Sequence, residues 1–171
     1  MHRKWPFSHL LLGVNRMSSN TCQIEIAVQE EDFDLGALSS KWTDQDVENG
    51  AQVMFVGRVR EFTDGDQQTM TLEHYPGMTE KSLQKTADIA ADRWRINKAL
   101  IIHRIGELKP ADQIVLVMVL SGHREDAFNA AWFIMDHLKT TAPFWKKESV
   151  AGSGDWVDAK DSDDHALDKW K

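Results

Sequence analysis

One segment constrains the fold of this chain more than any other: residues 113–121, with the sequence QIVLVMVLS. Successive side chains of a strand point to opposite faces of its sheet, so an unbroken apolar run is apolar on both faces. A strand of this kind is stable only where both faces are covered. The segment therefore predicts a strand at the centre of a sheet.

The other elements follow from hydrophobic periodicity. Alternating or β-branched runs predict strands over residues 22–28, 51–60, 69–75 and 98–106. Apolar residues every three or four positions predict helices over residues 33–42, 79–94 and 123–140. The order of these elements predicts an α+β fold with a mixed or antiparallel sheet.

The boundaries of these elements have their own signals. Thr79 is the predicted N-cap of the second helix, because its hydroxyl can accept from a free backbone N–H. Pro143 is expected to end the third helix. The polar residues 61–68, which contain Asp64-Gly65, predict a turn that joins the strands on either side in a hairpin.

Composition limits the classes of partner. The chain has 171 residues and a formal net charge of -7, which fits one compact domain and opposes broad binding to nucleic acid or to anionic membranes. No apolar run approaches the roughly 20 residues that cross a bilayer. The single cysteine, Cys22, excludes an internal disulfide, and we expect it to be a strand residue in a cytoplasmic protein.

The two ends differ in composition from the middle. Residues 1–16 are expected to form an extension, either a disordered arm or an over-extended start, with Met17 as an alternative first residue. Residues 17–150 would form the domain. Residues 151–171 form a C-terminal tail rich in Gly, Asp and Ser, and their sequence leaves open whether that tail is flexible or is anchored by Trp156 and Trp170.

Basic residues cluster at three element ends. They close a strand, open a helix and bracket the end of that helix: Arg58, Arg60, His123, Arg124, Lys139, Lys146 and Lys147. Cations together with the free N–H groups of a helix start are what a small phosphate or carboxylate site needs, so we expect the three segments to converge. The alternative is that they are ordinary surface charges.

The segment from Lys139 to Lys146 places two lysines around Pro143, Phe144 and Trp145. Apolar surroundings favour a neutral amine, which could act as a general base or as a nucleophile. Alternatively, the lysine stems cover the aromatic rings and the ammonium groups stay in water.

The remaining candidates are weaker. The histidines lack the spacing of a metal site, so we predict no metal, and His103 is expected to have a structural role within a strand. Ser121 has no triad around it. Trp132, Phe133 and Met135 are expected to pack in the core, because they lie within a helix.

Four segments resemble the large subunit of molybdopterin synthase: GRVR from Gly57, TLEHYPGMTEKSL from Thr71, IHRIGEL from Ile102 and FIMDHLKTTAPFWKKE from Phe133. The resemblance implies an α/β hammerhead fold and a heterotetramer built around a central homodimer of large subunits. It implies a small ubiquitin-like partner whose C-terminal Gly-Gly carries a thiocarboxylate. The acceptor would be cyclic pyranopterin monophosphate, with no cofactor or metal in this subunit.

The resemblance also assigns roles to single residues. Lys139 and Lys146 match the catalytic lysines of the family. The implied substrate-binding residues are these two lysines together with Arg58, Val59, Arg60, His123, Arg124, Lys147 and Glu148. Two other functions stay open: a degenerate subunit that docks the partner without catalysis, and a nucleic-acid binder, which the net charge disfavours.

Overall fold

A computed structural model of the chain describes residues 22–61, 68–150, 153–157 and 167–171. The elements in these ranges, in chain order, are β1 (Gln23–Gln29), α1 (Leu35–Thr43), β2 (Ala51–Arg58), β3 (Gln68–His74), α2 (Met78–Arg93), β4 (Ile96–Arg104), β5 (Gly106–Leu108), β6 (Gln113–Ser121), α3 (Arg124–Thr141), β7 (Phe144–Val150) and β8 (Ser153–Val157), followed by a 3-10 turn (Asp168–Trp170). The predicted α+β class is confirmed. The expected extension over residues 1–16 lies outside the described residues.

The first sheet has the order β1-β4-β6-β2 and is mixed, since β1 runs parallel to β4 and the other pairs are antiparallel. The prediction that β6 is central is confirmed. Its residues alternate between two hydrophobic clusters, one shared with α2 and α3 and one shared with the α1 side. The uninterrupted apolar run of β6 exists because both faces of the sheet are covered.

The second sheet is antiparallel, with the order β5-β3-β7-β8. The predicted hairpin between β2 and β3 is therefore wrong, because the two strands belong to different sheets. After β2 the chain leaves the first sheet, where Val59 exchanges backbone hydrogen bonds with Ala111 and Asp112. Met70 and Leu72 of β3 then pack with Val59 in a small core of their own. The predicted turn at Asp64-Gly65 lies outside the described residues.

The helix ends show one further difference. Gly77, at φ 78°, is the N-cap of α2, so the predicted cap at Thr79 is wrong by two positions. Thr79 is buried and its hydroxyl donates to the carbonyl of Tyr75 at 3.0 Å, which ties the helix to the end of β3. The third helix ends before Pro143, as predicted.

The two sheets meet at one end of the first sheet. His103, at the end of β4, stacks on Phe144 at the start of β7 with a centroid separation of 3.7 Å. Ile114, near the start of β6, packs against the clusters of both sheets. The predicted structural role of His103 is confirmed. This junction positions the ends of β2 and α3 beside the start of β7.

Cys22 lies buried just before β1, and burial raises the pKa of its thiol to about 11, so the group is a protonated structural residue and no nucleophile. Among the helices in the described ranges, none is long and apolar enough to span a membrane.

Candidate active site

A surface groove runs between β2, the edge strand of the first sheet, and α3. Its volume is about 490 Å³, and its walls are mostly apolar. The residues that line it are Val53, Met54, Phe55, Phe128, Ala131, Trp132, Met135, Asp136 and Lys139. It is thus an apolar channel with one ammonium and one carboxylate in its wall.

The helix side of the groove follows from helical spacing. Phe128, Trp132, Met135 and Lys139 are separated by three or four residues and so share one face of α3. Phe128 is 61% exposed and Trp132 60% exposed. The expectation that Trp132 packs in the core is wrong, because its ring lies in the wall of the surface groove. Phe133 and Met135 are buried as predicted, and Met135 contributes to the groove from a buried position.

The segment after β2 lies at the junction of the two sheets. Arg58 is exposed, and its Nε donates to the carbonyl of Ala111 at 2.9 Å, which fixes the base of its guanidinium. Val59 is buried and its backbone groups are both engaged, so it holds the arginines on either side of it in place. Arg60 is exposed.

Three candidate residues lie in succession on β7. Lys146 and Glu148 pair in register with Leu72 and Met70, so they share the face of the sheet that carries the small core. These two side chains form an ion pair with each other. Lys147, which pairs with Thr71, points to the opposite face.

Neither lysine is enclosed by the apolar turn between them. Lys139 is exposed, and the side chain of Lys146 is 40% exposed. The desolvated amine considered from the sequence is therefore not present in the isolated chain. Any desolvation of these two ammonium groups has to come from a molecule that covers them.

His123 and Arg124 lie at the opposite end of the fold. Ser121 of β6 pairs with Ala51, whereas Arg58 pairs with Gln113 at the other end of the same two strands. Lys139 lies fifteen positions after Arg124 along α3, a rise of about 22 Å. Within one chain the segment with His123 and Arg124 therefore does not meet the other two basic segments, because α3 starts at the far end of the sheet and runs back along it.

Sequence reasoning missed Phe55, Phe128 and Asp136 of the groove. Phe128 stands four residues before Trp132, and this spacing on α3 was the available signal for an exposed aromatic stripe. The exposure of Phe55 could not be predicted from the sequence, because it depends on β2 lying at the edge of its sheet. Within the ranges that the structure describes, no three His, Cys, Asp or Glu side chains are grouped so that they could hold a metal ion.

A family model described as MoaE protein matches residues 28–141. The molybdopterin synthase catalytic subunit of Ralstonia nicotianae is 53% identical over 146 residues, which cover 85% of this chain and 83% of that protein. The solved structure of molybdopterin cofactor biosynthesis protein E from Burkholderia multivorans is 47% identical with a TM-score of 0.72, and the match covers 85% of this chain and 94% of that one.

A more distant structure, a complex of subunits 1 and 2 of molybdopterin-converting factor from Helicobacter pylori, has a TM-score of 0.68 at 18% identity and covers 79% of this chain and 91% of that one. At this identity the likeness shows a shared fold. The two closer matches and the family model carry the assignment. The resemblance found in the sequence is therefore confirmed, and the chain belongs to the MoaE family of molybdopterin synthase catalytic subunits.

Proposed function

We propose that this chain catalyses the two sulfur transfers of a molybdopterin synthase in the cytoplasm. The donor is the C-terminal thiocarboxylate of a small ubiquitin-like subunit, and the acceptor is cyclic pyranopterin monophosphate. Each transfer moves one sulfur to the pterin side chain, and water supplies the oxygen that converts the acyl group of the donor to a carboxylate. The cyclic phosphate opens and a dithiolene results. The observation that carries the proposal is the apolar groove with Lys139 in its wall, in a chain of this family.

The groove suits the tail of the donor. A Gly-Gly terminus has no side chains, so it fits a narrow channel between a strand and a helix. No described strand pairs with the outer edge of β2, and an extended tail can add to such an edge through backbone hydrogen bonds. Lys139 would then stabilise negative charge on the thiocarboxylate carbonyl or on the departing sulfur.

The junction of the two sheets suits the acceptor. Guanidinium groups bind phosphate through paired hydrogen bonds, which gives Arg58 and Arg60 a role toward the pterin phosphate, with Val59 as the fixed residue between them. Lys146 would serve acid and base steps or trap the acyl group, oriented by its ion pair with Glu148. Lys147 would add positive potential from the outer face.

The distance between Arg124 and Lys139 supports a site shared by two copies of the chain. In an isologous dimer the same surface patch meets itself across a twofold axis. An axis that crosses α3 near Trp132, halfway between residues 124 and 139, brings His123 and Arg124 of a second copy beside Lys139. It also covers the exposed rings of Phe128 and Trp132. This arrangement fits the central homodimer of a heterotetramer.

The direct test mixes the protein with thiocarboxylated small subunit and cyclic pyranopterin monophosphate and measures dithiolene product by mass spectrometry. Lys139→Ala should lower turnover on the order of 10²-fold or more, because a well-placed donor to developing charge is lost. Lys85→Ala, an exposed lysine on α2, is the matched control and should keep full turnover.

Two outcomes would contradict the proposal. Tight docking of the small subunit without product from the unaltered protein would favour the docking function. Unchanged turnover of Lys139→Ala, with the fold verified by circular dichroism, would remove Lys139 from the mechanism.

A further inference from the structure

The last residues of the chain are anchored on the outer side of α2 and α3. The ring of Trp170 packs edge-on against Trp94 and Phe133, with centroid separations of 5.6 Å and 5.4 Å. The guanidinium of Arg93 donates to the carbonyl of Trp170 at 2.7 Å. The C-terminal turn is therefore held by both stacking and hydrogen bonding.

The C-terminal turn contacts Asp136, a residue that lines the groove. The indole Nε1 of Trp170 donates to Oδ2 of Asp136 at 2.7 Å, and Nζ of Lys169 lies 2.8 Å from the same oxygen. The Asp136 side chain is only 14% exposed. The ammonium of Lys169 also lies 3.7 Å from the centroid of the Trp132 ring. Two groove residues, Trp132 and Asp136, are thus in contact with the C-terminus.

Asp136 stands one helical turn before Lys139. Opposite charges three residues apart on a helix lie close enough to pair, and such a pair would occupy the ammonium that faces the groove. Among the described residues Lys139 has no ion-pair partner, whereas one oxygen of Asp136 receives two donors from the C-terminus. The charges of Asp136 and Lys169 offset each other locally.

We infer that Lys169 and Trp170 form a C-terminal clasp that holds Asp136 away from Lys139 and so keeps the Lys139 ammonium available for an anionic substrate. The inference rests on the proposed function, in which that anion is the thiocarboxylate. Lys169, Trp170 and Asp136 are positioning residues, since they act through Lys139. In a purely structural role, by contrast, Asp136 would serve only to anchor the end of the chain.

The two roles predict opposite changes in kcat/KM when Asp136→Asn is added to substitutions at Lys169 and Trp170. Lys169→Met keeps the stem and removes the charge, and Trp170→Phe keeps a ring but lacks the N–H. The combined variant frees Asp136, so kcat/KM for sulfur transfer should fall by up to about fivefold, the effect of an ion pair on a helix surface that competes with the substrate for Lys139. Adding Asp136→Asn should restore kcat/KM to within about twofold, because an amide cannot form an ion pair with Lys139.

A structural anchor predicts the opposite. If Asp136 only anchors the chain end, adding Asp136→Asn would leave kcat/KM as low as in the combined variant or lower it further. That result would overturn the inference. Thermal unfolding of each variant verifies the fold. If the combined variant does not fold, kcat/KM is compared between Lys169→Met alone and Lys169→Met together with Asp136→Asn.

A second readout does not depend on turnover. The acetylation rate of Lys139 by acetic anhydride, measured by peptide mass spectrometry against Lys85 as internal reference, should fall in the clasp variant and recover with Asp136→Asn. If these reactivities change as expected while the unaltered protein makes no dithiolene, the proposed function fails and the clasp stands. If dithiolene forms but neither reactivity nor kcat/KM responds, the clasp fails.

Discussion

Acidification should weaken the junction of the two sheets through His103. Its side chain is 5% exposed, its ring stacks on Phe144, and its Nδ1 lies 2.8 Å from the carbonyl of Arg104. Burial, with a smaller contribution from the neighbouring His74, lowers the pKa of His103 from the ordinary 6.5 to about 4, against the opposing effect of the hydrogen bond to the Arg104 carbonyl.

The direction of the effect follows from proton linkage. Between pH 6.5 and about 4 the unfolded chain binds a proton at His103 and the folded chain does not, so the folded state loses stability as the pH falls. At about 1.4 kcal/mol for each pH unit, the loss amounts to about 3 kcal/mol by pH 4. Burial also lowers the pKa of His137, which adds a contribution of the same sign.

The assay is urea unfolding at pH 7, 5.5 and 4 of the protein and of His103→Asn, whose amide can still donate to the Arg104 carbonyl. The variant should lose about 3 kcal/mol less between pH 7 and pH 4 than the unaltered protein. Measurements stop at pH 4 so that Asp46 does not contribute to the loss. Hydrogen bonds from Lys98 and Asn49 lower the pKa of Asp46, so the stability that its carboxylate provides is lost only in stronger acid. Equal losses in both proteins would refute the reasoning.

Two further predictions concern packing and assembly. Gly50→Ala should destabilise the fold by about 1 to 3 kcal/mol in urea unfolding, because the new Cβ would lie 2.8 Å from the backbone oxygen of Gly122. The control Gly36→Ala in α1 should be neutral or slightly stabilising, because alanine is favoured over glycine in a helix and the new Cβ meets only ordinary contacts. Equal destabilisation by both substitutions would contradict the close-approach argument. Trp132→Glu should make the chain monomeric in light scattering where the unaltered protein is the proposed dimer, since the substitution places a charge at the proposed twofold axis. Trp145→Glu, on an exposed position of β7, should remain dimeric. A Trp132→Glu dimer as stable as the unaltered one would place the interface elsewhere.

The elements that sequence predicted well are those whose pattern has a local cause. The apolar run of β6 has no stable position except a covered strand, and Pro143 stops α3 by its own geometry. The cap of α2 was misplaced because the hydroxyl of Thr79 bonds to the carbonyls of Tyr75 and Pro143, while the helix begins after Gly77. Those hydrogen bonds depend on tertiary structure.

The candidate site was harder to predict because it depends on which strand lies at an edge and on which way α3 runs. Sequence grouped Arg124 with Lys139 by charge, although about 22 Å of helix separates them. It could not distinguish exposed Trp132 from buried Phe133, which are adjacent in the chain. The contact between Trp170 and Asp136 spans 34 residues, and no local pattern encodes it.

Turnover by a mixed dimer tests most directly whether Arg124 of one copy and Lys139 of the other belong to the same site. One chain carries Lys139→Ala, the other carries Arg124→Ala, and two different affinity tags isolate the pair. Each homodimer should be inactive, whereas the mixed dimer contains one unaltered site and should recover roughly half of the normal turnover. A mixed dimer as inactive as either homodimer would contradict the account, because it would place Arg124 and Lys139 in separate functions or within the site of a single chain.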